Sequence, residues 1–219
     1  MSKAEGMSGN GRLITLEGGE GAGKSTALDA VRERLERRGI AVVVTREPGG
    51  TVLGEAVRTI VLDPARRDLC AESELLLMFA ARAQLVRELI RPALAAGQWV
   101  LSDRFTDASY AYQGAGRGQP EQRIAELERW AAVLKPDLTL LLDLPSAEGL
   151  ARIGGRGQAD RIELESADFF ERVRAAYRAR ATAEPGRFRI IDASQPIPGV
   201  RAAACAAIDA FVDAQGVSA

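Results

Sequence analysis

Residues 18–25 read Gly18-Gly19-Glu20-Gly21-Ala22-Gly23-Lys24-Ser25, and no other stretch narrows the possible folds of this chain as far. The run follows a short β-prone segment, Leu13-Ile14-Thr15-Leu16. It precedes Leu28, Val31 and Leu35, which fall at helical spacing among charged residues until Gly39 stops the pattern. A strand that turns through glycines into a helix leaves the first helical N–H groups unpaired and aimed at one place. Glycine lets successive N–H groups curl inward around an anion where larger side chains would obstruct them. Lys24 then reaches the outer phosphates of a nucleotide, the Ser25 hydroxyl offers an oxygen to Mg²⁺, and Thr26 continues the first helical turn. Gly18 through Thr26 is therefore predicted to cradle the phosphates of a bound nucleotide.

The rest of the chain alternates in the same way. Strands are predicted at 41–45, 99–102, 138–142 and 188–191, and helices at 52–62, 73–96, 121–134, 147–153, 169–183 and 200–212. Pro92 marks a point for a bend in the long third helix. The run 41–45, nearly all valine, predicts a strand buried on both faces. Five strands alternating with helices imply right-handed crossovers and a doubly wound parallel sheet, an α/β fold whose ligands sit at the carboxyl ends of the strands. A chain of 219 residues suits one such domain, expected over 12–215 behind a loose polar tail at 1–11.

Composition removes several chemistries. The chain has no histidine, which excludes Ser-His-Asp and Cys-His catalysis and His-containing zinc sites. Its two cysteines, Cys70 and Cys205, lack metal-ligand spacing and read as small apolar fillers. A formal net charge of -1 gives no sign of a nucleic-acid coat, and no apolar run approaches the roughly 20 residues of a membrane span. A cytoplasmic location is expected. Residues 18–25 match the P-loop pattern, which GTPases, ATPase motors and small kinases share. Asn10 is the only asparagine, so no guanine-reading N-K-x-D follows the loop, and no Leu-Ser-Gly-Gly-Gln segment of transporters is present. A compact kinase for a small phosphorylated acceptor remains.

Three further segments carry a resemblance: Thr45-Arg46-Glu47-Pro48-Gly49-Gly50-Thr51, then Asp103-Arg104-Phe105 with Ser109, Ala111, Tyr112 and Gln113, and then the Arg-rich loop with Asp160-Arg161-Ile162-Glu163. In order and spacing they resemble the thymidylate kinases, and the likeness covers nearly all of 13–211. It implies a P-loop NTPase fold of the nucleoside-monophosphate-kinase type, five parallel strands in the order 2-3-1-4-5 with helices on both faces. It also implies transfer of the γ-phosphate of ATP to dTMP in dTTP biosynthesis, Mg²⁺, and a homodimer. A kinase for another small acceptor and a nucleotide sensor without turnover are the alternatives.

Residue by residue, the resemblance makes Glu47 and Pro48 part of a rigid turn lining the acceptor pocket, and Arg58 and Arg104 the forks on the acceptor phosphate. Arg82 would address the base edge, with Met78 or its neighbour Phe79 covering thymine. Tyr112 would stand where a ribose 2′-hydroxyl clashes, Ser109 and Gln113 near the base, and Glu20 near the sugar hydroxyl. Asp103 would act through Mg²⁺ or its waters, or by holding an arginine, because an ionised acceptor phosphate has no proton to give up. The cradle's variable residues, Gly19, Glu20, Gly21 and Ala22, include no arginine, so the cation for the moving phosphoryl group is expected from a lid at about 152–164. There Arg156, flanked by Arg152 and Arg161, is the expected catalytic cation beside Lys24. Asp192-Ala193-Ser194-Gln195-Pro196 resembles the loop against adenine.

Overall fold

The computed structural model describes residues 11–154 and 159–216. Its centre is β1 (Leu13–Glu17), whose five residues are all buried. The other strands are β2 (Val42–Arg46), β3 (Trp99–Asp103), β4 (Leu138–Asp143) and β5 (Phe188–Asp192), and the sheet runs β2-β3-β1-β4-β5. Every pairing is parallel, as the alternation of elements predicts. The register sets Leu16 beside Asp103 and Leu140, Arg46 beside Asp103, and Asp143 beside Asp192. Polar residues that close each strand thus collect along one edge of an apolar sheet.

Side chains alternate across that sheet. Ile14 and Leu16 face α1 (Lys24–Arg37) and the C-terminal helix, where Val31, Leu35, Ile208 and Val212 complete one core. Leu13, Thr15 and Glu17 face the opposite layer. In it stand α2 (Val52–Leu62), α3 (Ala71–Leu85) and α4 (Arg91–Ala95), with α3 and α4 joined by a π-helical turn at Val86–Ile90. Pro92 has no N–H for the Glu88 carbonyl, and the helix meets this position with the wider turn directly before it.

After β3 come α5 (Thr106–Ser109), extended by a π-helical stretch at Tyr110–Gly116, and α6 (Glu121–Leu127), extended likewise at Glu128–Ala132. The chain then forms α7 (Ser146–Ile153), α8 (Ala167–Ala183) and α9 (Ile197–Ala214). Ala108, Ala111 and Tyr112 pack against Phe169, Val173 and Tyr177 of α8 in a second core.

Two expectations need correction, and one element goes beyond the sequence reading. β2 is an edge strand rather than one buried on both faces: its valines are partly exposed, Val44 by 42%, and their β-branching serves the pleat more than the interior. Cys70 is an exposed residue at the start of α3, its thiol donating to Ser73 Oγ at 3.2 Å, and Cys205 is half-buried, so Cys70 fills no apolar space. The helix at 106–116 has no counterpart in the sequence reading, because its Tyr, Gln and Gly residues lack an apolar stripe and owe their conformation to packing on α8. No described helix is long and apolar enough to cross a membrane.

Candidate active site

The loop from β1 into α1 has the backbone that its glycines permit. Gly18, Gly21 and Gly23 all have positive φ, and a Cβ on Gly21 would meet the Gly149 carbonyl of α7 at 2.3 Å. Lys24 folds back over the curve of the loop, donating to the carbonyls of Gly19 at 2.9 Å and Gly18 at 3.2 Å. Burial, followed by the nearby Arg104, lowers the Lys24 pKa. Ser25 is exposed and Ala22 is buried in the core on the α1 side.

Two adjoining cavities open on the carboxyl edge of the sheet. One is lined by the cradle from Glu20 to Thr26 together with Arg46, Asp103 and Glu163. The other is lined by Pro48, Met78, Tyr112, Gln113, Asp160 and Arg161, among others. Glu20, Glu47, Arg58 and Arg104 line both. The cavities therefore meet at a wall carrying two guanidinium groups.

That wall is tightly made. Arg104 follows β3 in the left-handed region, φ 73, and donates through Nη2 to Glu20 Oε1 at 2.7 Å and through Nη1 to the Gly18 carbonyl at 2.9 Å. Its guanidinium lies 4.7 Å from the Tyr112 ring centre, and the Tyr112 hydroxyl donates to the same Glu20 oxygen at 2.9 Å. Burial would raise the Glu20 carboxyl, but Arg104, Lys24, the Tyr112 hydroxyl and Arg58 together hold it below its usual value. Arg58 donates to the Pro48 carbonyl at 3.2 Å, and among the described residues no carboxylate lies within 4 Å of its guanidinium. It is a half-buried cation that faces both cavities.

Below the wall lies a second layer. Arg82 is wholly buried and donates to Glu47 Oε2 at 2.7 Å, Ser109 Oγ at 3.0 Å and the Phe105 carbonyl at 3.2 Å, with the Phe79 ring 4.5 Å from its guanidinium carbon. Burial pushes the Glu47 carboxyl up against the pull of Arg82. The structure thus places Arg82, Phe79 and Ser109 behind the acceptor cavity and brings Met78, Glu47, Pro48, Arg58, Tyr112 and Gln113 to its surface. Gln113 gives its amide N–H to the buried Glu74 at 2.8 Å, while its oxygen has no partner among the described residues.

At the ends of the expected lid, Arg152 donates to the carbonyls of Ala193 at 3.1 Å and Gly21 at 3.4 Å, tying the loop after β5 to the cradle. Arg161 is buried, donating to the Val61 carbonyl at 2.7 Å and pairing with Glu74, so it anchors the chain to α2 and α3. Arg156 lies outside the described residues. Glu17, Glu74 and Tyr177 were not singled out from sequence. Glu17 leaves a trace there, a carboxylate closing an apolar run, whereas Glu74 and Tyr177 leave none.

A P-loop between β1 and α1, a 2-3-1-4-5 parallel sheet and a second, arginine-lined cavity beside the loop define a phosphotransferase of the nucleoside-monophosphate-kinase type. The family profile described as Thymidylate kinase matches residues 16–204. Curated relatives named thymidylate kinase include that of Methylococcus capsulatus, 56% identical over 204 residues, covering 92% of this chain and 97% of the relative. That of Alkalilimnicola ehrlichii is 57% identical over 192 residues, covering 87% and 88%, and that of Ectopseudomonas mendocina 53% over 205 residues, covering 93% and 98%. The chain belongs to the thymidylate kinase family.

Proposed function

We propose that this chain transfers the γ-phosphoryl group of ATP to dTMP, giving ADP and dTDP. The observation that carries this reading is the shared wall: Arg58 and Arg104 line both the cradle and the neighbouring cavity, so two anions bound there lie end to end with guanidinium groups between them. Phosphoryl transfer requires that alignment and that neutralisation more than any proton transfer. Lys24 leaves its two carbonyl partners for the donor's outer phosphates, and the glycine amides hold the rest.

The cation side is consistent with Mg²⁺. Ser25 and Asp103 line the same cavity, and Asp103 Oδ1 is buried with no hydrogen-bond partner among the described residues, an oxygen left over for a hard cation or its waters. When bound there, Mg²⁺ would neutralise charge shared by the two outer phosphates of ATP. Among the described residues Asp103 makes no ion pair within 4 Å, which favours the metal over the arginine-holding role. Arg156 is proposed, from its place in the sequence, as the cation on the moving phosphoryl group.

For acceptor selection, Met78 supplies the apolar cover over the base and Gln113 its polar neighbour. Tyr112 and Glu20 wall the sugar, with Arg82 steadying Glu47 and Ser109 from behind. Self-association as a homodimer is supported by a groove between α3 and α6 whose lining includes Leu75, Leu76, Leu127 and Trp130, with Leu76 57% and Trp130 80% exposed. The enzyme would act in the cytoplasm. ADP release measured with dTMP, dUMP and thymidine tests the assignment: dTMP is expected to give the highest kcat/KM, and a preference for unphosphorylated thymidine would overturn it.

A further inference from the structure

Arg104 carries a Cβ yet stands at φ 73, a backbone state that persists only where surrounding contacts impose it. Glu17, the last residue of β1, is wholly buried and grips both sides of that residue. Its Oε1 accepts the N–H of Phe105 at 2.7 Å, and its Oε2 accepts the hydroxyl of Tyr177 at 2.7 Å. Tyr177, on α8, in turn accepts a hydrogen bond from Arg104 Nη1 at 3.1 Å.

We propose that Glu17 and Tyr177 are positioning residues for the phosphoryl transfer: the charged carboxylate pins the backbone just after Arg104 and, through Tyr177, its guanidinium, so that the fork is held where donor and acceptor phosphates meet. This rests on the reading of Arg104 as a phosphate ligand.

Counting protons gives the pair its direction. A guanidinium only donates and a phenol has a single proton. With Arg104 donating into the Tyr177 oxygen, that proton goes to Glu17. Both carboxylate oxygens then accept, and a proton placed on either competes with a donor already there. Neutralising Glu17 therefore loosens Arg104 from the backbone side, the side-chain side, or both.

The groups facing Glu17 are Asp107 from α5, Arg104, Lys24 at the start of α1, and the Tyr177 phenol. Asp107 is itself held by Arg187 at 2.7 Å and by Arg180. Burial is the largest influence on the Glu17 carboxyl and Asp107 adds to it; together they outweigh Arg104 and the two hydrogen bonds and push it up to about 8. An acceptor phosphate loses its second proton near pH 6. The two ionisations thus fall in separate parts of a pH profile.

The test compares E17Q and Y177F with the unaltered chain, measuring kcat and KM for dTMP and for ATP from pH 5.5 to 9. Turnover of dTMP by the unaltered chain checks the underlying assignment in the same experiment. Above pH 8, where the Glu17 carboxyl of the unaltered chain is charged, each substitution is expected to lower kcat/KM for dTMP about tenfold while KM for ATP stays within about twofold, the size of effect a hydrogen bond to a charged group supports. The rise near pH 8 should vanish in E17Q and shrink in Y177F, leaving the substrate's rise near pH 6 in place. Unchanged kcat/KM in both variants, equal damage to the ATP constants, or a rise near pH 8 that survives in E17Q would overturn the proposal. Should E17Q fail to fold, Y177F decides through the same split between the two substrates.

Discussion

The two halves of the site are built on opposite plans. The proposed donor half is a run of consecutive residues, 18–26, which would bind through its backbone and whose lysine, Lys24, rests on carbonyls of its own loop. The acceptor half draws side chains from the cradle, the turn after β2, α2, α3, the end of β3 and the helix beyond it, and backs them with buried ion pairs. A triphosphate chain presents the same repeating charge to every protein, so backbone amides are enough. An acceptor must be told apart from its analogues, and that requires differently shaped and charged groups held rigidly. The lesson is that the donor half should fail in rate, and the acceptor half in selectivity and stability.

Substitutions can break that contrast. The largest effect is expected for Lys24→Ala, about a thousandfold in kcat with little change in melting temperature, as for loss of a charge-stabilising donor. A drop below tenfold would show that the amides suffice without the lysine. Next is Arg82→Met, which leaves Glu47 buried with no other hydrogen-bond partner among the described residues. It should cost about 3 kcal/mol in denaturant unfolding, since a buried charge stripped of its partner is strongly destabilising. An unchanged unfolding midpoint would show the pair to be dispensable.

Arg156→Ala should lower kcat by about a hundredfold with a smaller change in KM for dTMP, placing it with the donor half. An unaltered kcat would remove it from the mechanism. The smallest effect is the most telling for the acceptor half. Tyr112→Ala should raise the use of UMP relative to dTMP by about tenfold, because a wall of the sugar site is removed. The same ratio before and after would assign Tyr112 only to holding Glu20.

Much of this was legible in one dimension because the governing interactions are local. Strand and helix positions follow from apolar spacing. The parallel arrangement follows from their alternation, and the cradle from glycines at fixed offsets. The resemblance pairs Arg58 with Arg104, and the fold brings both to the wall between the two cavities. Arg82 shows where this stops. The resemblance points it at the base edge, and the fold shows it buried beneath the cavity, stacked on Phe79 and bonded to Glu47, Ser109 and the Phe105 carbonyl. Its position on α3 is the same in either case; only the packing of α3 beneath the acceptor turn shows which way its charge is used.

What the amino-acid order determined on its own was the glycine-rich loop between β1 and α1, the parallel sheet and the family, because each is written in short-range patterns of glycine, charge and apolar period. What only the tertiary structure decided was which charges meet: that Arg58 stands without a carboxylate among the described residues, that Arg161 is an anchor, and that Glu17 and Tyr177 close on Arg104 across 160 residues of chain. Electrostatic partnership depends on distance and burial, and neither exists until the chain has folded.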